Sequence, residues 1–264
     1  MNGMQIYYNF DDPDEIPLSS FVQDGGYCSI LRTVGCIGDS LSSGEFESED
    51  ENGNKGYNDY FEYSWGQFLA RDCGCKVYNF SRGGMTAKEY MESFAEENGF
   101  WDDDKICQAY IIALGVNDLN GGQCVGSAAD INLQDRSLNR DTFAGYYGGI
   151  VQRLLEKAPK ARFFFVTAPQ NENGSRFPEH TRLLHELTEV FPFSYVIDLD
   201  RYAPKHDEAF RQRFYMGGHL NAAGYRLTAK QIESYIDFII RHNMDDFAQI
   251  GFVGTPFHNP HYKW

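Results

Sequence analysis

Thr33-Val34-Gly35-Cys36-Ile37-Gly38-Asp39-Ser40-Leu41 is the stretch from which the rest of the chain can be read. An apolar run closes in Gly38-Asp39-Ser40, so a serine hydroxyl stands where a buried strand emerges into a loop. Alone, Gly-Asp-Ser is a common turn. Three later pieces follow it in order: Asn79-Phe80-Ser81-Arg82-Gly83-Gly84, Gly115-Val116-Asn117-Asp118, and His219-Leu220-Asn221-Ala222-Ala223-Gly224. Together they supply a nucleophile, two oxyanion donors and a base, which is the set that acyl transfer requires.

Five apolar runs read as strands: Thr33–Gly38 and residues 76–80, 107–114, 161–167 and 194–199. Most are apolar throughout rather than alternating, as strands covered on both faces should be. Helical patterns lie between them, at residues 64–72, 86–96, 142–158, 179–190 and 226–242. In residues 142–158, Phe143, Tyr146, Tyr147, Ile150, Val151, Leu154 and Leu155 make a wide apolar stripe, with Asp141 as the expected cap and Pro159 beyond the end. Repeated strand–helix alternation predicts an α/β fold: a three-layer doubly wound sandwich around a mostly parallel five-stranded sheet. Ligands in such sheets bind beyond the carboxyl ends of the strands. Ser40, Gly84 and Asn117 follow the first three strands, and His219 follows the fifth.

Composition narrows the function. A net charge of −15 over 264 residues argues against nucleic acid or an anionic membrane surface as a partner. Residues 1–12 lack a basic start and a long apolar run, and no stretch of about 18 apolar residues suggests a membrane span. The six cysteines (28, 36, 73, 75, 107 and 124) show no metal-ligand spacing. The expectation is reduced thiols in a cytoplasmic protein with no metal or cofactor. One domain over residues 1–264 is expected, with an N-terminal extension at 1–30. The tail 245–264, rich in aromatic residues, should pack on the domain or on another subunit. The acidic stretch 44–63 reads as a solvated surface loop, and the polar stretch 119–140 as a second long loop at the same rim. His180, His185, His206, His242, His258 and His261 have no motif context and read as surface residues.

The four blocks resemble the SGNH/GDSL hydrolase family over roughly residues 33 to 242. The resemblance implies a flavodoxin-like SGNH hydrolase fold and ester hydrolysis without a cofactor. It also implies roles for Ser40 as nucleophile, Gly84 and Asn117 as backbone and side-chain oxyanion donors, and His219 as base. Judged by position alone, Ser40 reads as a helix cap; the other three blocks turn the reading to a nucleophile. Asp118 reads as structural. Ser42 stands where a Gly-x-Ser-x-Gly elbow would need glycine.

One residue departs from the family pattern. The family's acid lies three residues before the histidine, and here that position is Met216. A Ser–His dyad, with the Met216 carbonyl or one nearby accepting from Nδ1, is the preferred expectation. Asp198, Asp200, Asp207 and Glu208 are the alternative carboxylates. The expected substrate is a small-molecule or glycan ester, for instance an acetylated carbohydrate. The alternatives are a thioesterase or lysophospholipase acting on lipid acyl esters, and a glycan-binding protein on a decayed esterase fold.

Overall fold

The computed structural model describes residue 12 and residues 14–264, so most of the stretch 1–12 lies outside the described residues. Its strands are β1 (Thr33–Gly38), β2 (Glu45–Glu49), β3 (Lys55–Asp59), β4 (Lys76–Asn79), β5 (Ala109–Ala113), β6 (Arg162–Val166), β7 (Ser194–Ile197), β8 (Tyr215–Met216) and β9 (His219–Leu220). Five of them form one sheet, in the order β4-β1-β5-β6-β7, with every neighbouring pair parallel. The remaining four make two antiparallel hairpins, β2–β3 and β8–β9.

The two-residue period of a strand divides the core between the faces of the sheet. Along β6, Phe163 and Phe165 enter one buried cluster while Phe164 and Val166 enter the other. Along β5, Tyr110 and Ile112 part from Ala109 and Ile111 in the same way. Helices Phe143–Lys157 and Pro178–Thr188 cover the first face; Trp65–Cys73 and Ala222–His242 cover the second. Each fully buried ring contributes about 2–3 kcal/mol of apolar transfer free energy. Gly35 makes room for rings from the segments on either side of β1: a Cβ there would lie 2.7 Å from the Tyr110 ring and 2.9 Å from that of Phe80.

Several expected details shift. Thr142, not Asp141, caps helix Phe143–Lys157, its side chain accepting from the Gly145 N–H at 3.1 Å. Asp141 instead accepts from the Tyr146 hydroxyl at 2.9 Å. The helix expected at 86–96 contains a π-type turn at Tyr90–Phe94. The last helix starts at Ala222, because Asn221 caps it by accepting from the Gly224 N–H at 2.9 Å. In the tail, Phe247, Ile250 and Val253 are buried, and Phe247 stacks on Tyr195 with centroids 5.7 Å apart. Among the described residues no helix is long and apolar enough to cross a membrane.

The acidic stretch 44–63 is largely solvated, as expected, but it is not a loop. It folds as β2–β3, with Glu45 opposite Asp59 and Glu47 opposite Tyr57. Asp50 closes its turn by accepting from the Asn52 and Asn54 N–H groups, both at 2.8 Å. Phe46 anchors it, packing on the rings of Tyr60, Tyr63 and Tyr225 at 6.1, 5.7 and 5.5 Å.

Candidate active site

Strand β1 runs straight into the helical turn Ser40–Ser43. Asp39 caps that turn, accepting from the Leu41 N–H at 3.0 Å, so Ser40 is its first residue rather than its cap. The cap function therefore falls on Asp39, and the Ser40 hydroxyl is left half-buried at the sheet rim. Burial raises the Asp39 carboxyl to about 6.

The loop after β4 is tied to the end of β1. Asn79 accepts from the Ser81 N–H at 3.0 Å, and the Ser81 hydroxyl donates to the Cys36 carbonyl at 2.9 Å. Gly84, on this loop, has φ 72°, a conformation that favours glycine. Asn117 lies in helix Val116–Asn120 just beyond β5, and its Nδ2 donates to the Met85 carbonyl at 3.1 Å. That bond fixes the amide plane and uses one of its two N–H donors, leaving the other for a ligand. Asp118 is buried and holds the same loop from below, accepting from the Ala87 N–H at 2.9 Å. Burial raises its carboxyl to about 6 as well.

His219 opens β9, and the Gly217-Gly218 turn places it opposite Met216 of β8. Ser40, Asn117 and His219 line one cavity of about 520 Å³, whose far wall includes Asn171, Arg176 and His206. Gly84 is exposed and does not line this cavity.

The carboxylates that meet His219 are ones the sequence reading did not consider. Glu45 Oε1 lies 3.0 Å from Nε2, and Glu47 Oε2 lies 3.8 Å from Nδ1. Nδ1 is buried and has no hydrogen-bond partner among the described residues, so the Met216 carbonyl does not accept from it. Glu47 is buried; it accepts from the Gly218 N–H at 2.6 Å and from Lys55 Nζ at 2.5 Å. Those two donors lower its pKa. Glu45 is raised by burial, with His219 pulling the other way. Two glycines make room for this pair. A Cβ on Gly83 would fall 2.1 Å from Glu45 Oε2, and one on Gly217 would fall 2.4 Å from Glu47 Cδ.

None of the four carboxylates expected as alternatives lines the cavity. Asp200 Oδ1 is buried without a hydrogen-bond partner among the described residues, and the other three are engaged elsewhere. Asp198 faces His185 Nε2 at 3.1 Å and accepts from the Thr167 hydroxyl at 3.1 Å. Asp207 caps helix Glu208–Phe214, accepting from the Phe210 N–H at 2.9 Å. Glu208 accepts from Gln212 at 3.3 Å. The signal for the hairpin pair was present in Glu45-Phe46-Glu47-Ser48-Glu49, where alternation puts the glutamates on one face of a strand. His180 also departs from expectation. It is buried, its Nε2 lies 3.0 Å from the Leu114 carbonyl, and burial lowers it to about 4.

Comparison with known proteins bears on this rim. Residues 36–227 match the GDSL-like lipase/acylhydrolase family. No curated protein matches the chain. A family two carbohydrate esterase from Clostridium thermocellum, solved in complex with cellohexaose, superposes with TM-score 0.55 at 15% identity, covering 84% of this chain and 65% of that one. This chain thus spans just under two thirds of that esterase. A family 2 carbohydrate esterase with a carbohydrate-binding domain, from Corynascus thermopiles, gives 0.53 at 15% identity, covering 84% and 68% of the two chains. A lipase-like GDSL protein from Bacteroides ovatus gives 0.54 at 15% identity, covering 78% and 98%. At such identities these likenesses establish the fold. With the family match across the whole stretch from β1 to the last helix, the chain belongs to the GDSL-like lipase/acylhydrolase family, whose chemistry is the hydrolysis of acyl esters.

Proposed function

We propose that this protein is a serine esterase that removes small acyl groups, such as acetyl, from a polar alcohol of carbohydrate type. The carrying observation is that Ser40, Asn117 and His219, from three separate segments of the chain, line one cavity. His219 takes the Ser40 proton as Oγ attacks the ester carbonyl, and the bond electrons move to the carbonyl oxygen. The Asn117 amide and the Ser40 N–H, both at the cavity, serve that oxyanion, each donor worth about 3–4 kcal/mol. The imidazolium then returns its proton to the leaving alcohol, and water repeats the sequence on the acyl-enzyme. The polar groups Asn171, Arg176 and His206, set among apolar residues such as Leu199 and Ile232, favour a hydroxyl-rich alcohol over a lipid chain. The carbohydrate esterases of the same fold support that choice.

A fluorophosphonate probe should label the wild type and not Ser40→Ala. Hydrolysis of nitrophenyl esters should fall steeply as the acyl chain lengthens beyond acetyl. Labelling that persists in a folded Ser40→Ala variant would overturn the assignment of the nucleophile. Activity rising with chain length would favour a lipid ester.

A further inference from the structure

We propose that Glu45 replaces the acid that position 216 lacks, as a positioning residue for His219, and that Glu47 fixes the loop carrying that histidine. The inference rests on the esterase reading. The family pattern leaves Met216 where a carboxylate belongs, and a thioether can neither hold an N–H firmly nor stabilise an imidazolium. The hairpin brings carboxylates to both ring nitrogens instead, at 3.0 and 3.8 Å.

The two glutamates are not equivalent. Glu47 is held by the Gly218 N–H and by Lys55, so it serves the backbone of the loop. Glu45 accepts no side-chain hydrogen bond from any described residue, and its one ion-pair partner is His219. Its charge therefore acts on the ring through Nε2–H, so the unpartnered Nδ1 is the nitrogen that takes the Ser40 proton. An opposite charge at this distance favours the imidazolium that forms during attack. Chain geometry enforces the approach. Gly44, at φ 83°, turns the chain from helix Ser40–Ser43 directly into β2, and a Cβ there would lie 2.6 Å from the Tyr60 carbonyl. The nucleophile and the proposed acid thus stand at the two ends of one six-residue segment.

Other groups also face this pair. Asp59 stands opposite Glu45 in the hairpin, Glu47 and Asp39 add negative charge, Lys55 answers Glu47, and the Tyr57 ring meets His219 edge-on at 5.8 Å. None of the neutral or cationic groups among them can take over Glu45's task.

The test is Glu45→Gln in the full chain, read as kcat and KM across pH 5–9 together with fluorophosphonate labelling. We expect kcat to fall about a hundredfold with KM within about threefold. That is less than the roughly ten-thousandfold cost of a triad Asp→Asn change, because Glu45 is only partly enclosed. The acid limb of the kcat/KM profile should move to lower pH, since the base loses the charge that holds its proton. Met216 lies across the two-residue turn from His219, on the same face. Met216→Asp added to Glu45→Gln should therefore recover at least about tenfold. Activity within about threefold of wild type, with an unmoved acid limb, would overturn the proposal. Should Glu45→Gln lose its cooperative melt, Glu45→Ala carries the test: a folded variant with undiminished kcat would overturn it too. A wild type that neither labels nor hydrolyses any ester sinks the esterase reading and this inference together. An active, labelled wild type beside an indifferent Glu45→Gln sinks the inference alone.

Discussion

The rim of the parallel sheet and the hairpin beside it serve one cavity by different physics. At the rim, Ser40 and Asn117 extend from β1 and β5, neighbouring strands paired from Val34–Ala109 to Gly38–Ala113 and buried nearly throughout. Their positions follow from close packing on both faces. The hairpin is two strands, with β3 largely exposed, held by the Phe46 ring cluster and the Glu47–Lys55 pair. Two strands alone are marginally stable in water. The attacking and charge-accepting groups thus stand on the rigid element, and the carboxylates that surround the base stand on the weaker one.

That division sets the expected size of mutational effects. After the nucleophile itself, the largest on the rigid side should come from Asn117, level with Glu45→Gln on the hairpin. Asn117→Ala should lower kcat about a hundredfold with KM within about threefold, because its bond to the carbonyl oxygen strengthens as charge develops. Steady-state kinetics on an acetyl ester checks this. A rise in KM with kcat unchanged would make Asn117 a substrate-binding residue and blur the contrast with the hairpin.

One carboxylate from each region, Asp118 and Glu47, shows opposite signs of pH dependence. Burial raises Asp118 to about 6, against an ordinary value of 3.8. The folded state keeps a proton there that the unfolded chain has released, so this contribution is fully present below about pH 4 and is lost as pH rises through 6. Glu47, lowered by Lys55 and Gly218, contributes the other way: its stabilisation is present above about pH 4.5 and fades as pH falls. Asp118→Asn can still accept from Ala87 through its amide oxygen. It should gain stability relative to wild type between pH 4 and 6.5, by up to about 3 kcal/mol. Denaturant melts at the two pH values test this, and a constant difference would remove Asp118 as the source.

Legibility in the sequence followed the same line. Thr33–Gly38 was readable to the residue because both faces of β1 are covered and every position is apolar or small. The hairpin was read as a loop because four of the five residues of β2 are Glu or Ser, which are poor advertisements for a strand. Its pairing comes from cross-strand and ring contacts spread over residues 45–63 and 225. His180 was read as surface although it shares a helical stripe with Leu183, Leu184 and Leu187. A single polar residue on an apolar stripe masks its burial until a partner such as the Leu114 carbonyl is known. The position of the base was readable. Its carboxylate neighbours, more than 170 residues earlier in the chain, were not.

The smallest effect should come from the carboxylates near His219 in sequence. Asp198 is the sharpest case, because it is buried at a strand end and already faces a histidine, as a triad acid would. That histidine is His185, on helix Pro178–Thr188, and His185 is not among the residues that line the cavity. The remaining Asp198 bonds, from the Thr167 hydroxyl and the Arg201 N–H, tie β6 to the turn after β7. Asp198→Asn preserves the acceptor oxygen and removes the charge opposite His185. It should therefore lower the melting temperature by a few degrees, for a loss of about 1 kcal/mol, while kcat stays within about tenfold of wild type. Asp207→Asn should do less still, since asparagine caps helices about as well as aspartate. The contrast with Glu45→Gln is the informative measurement. Two carboxylates of the same nominal chemistry would differ by an order of magnitude or more in kcat, in favour of the one distant in sequence from the base. A collapse of kcat in folded Asp198→Asn would reverse that ranking and return the acid to the strand-end region, with the hairpin reduced to a wall of the site.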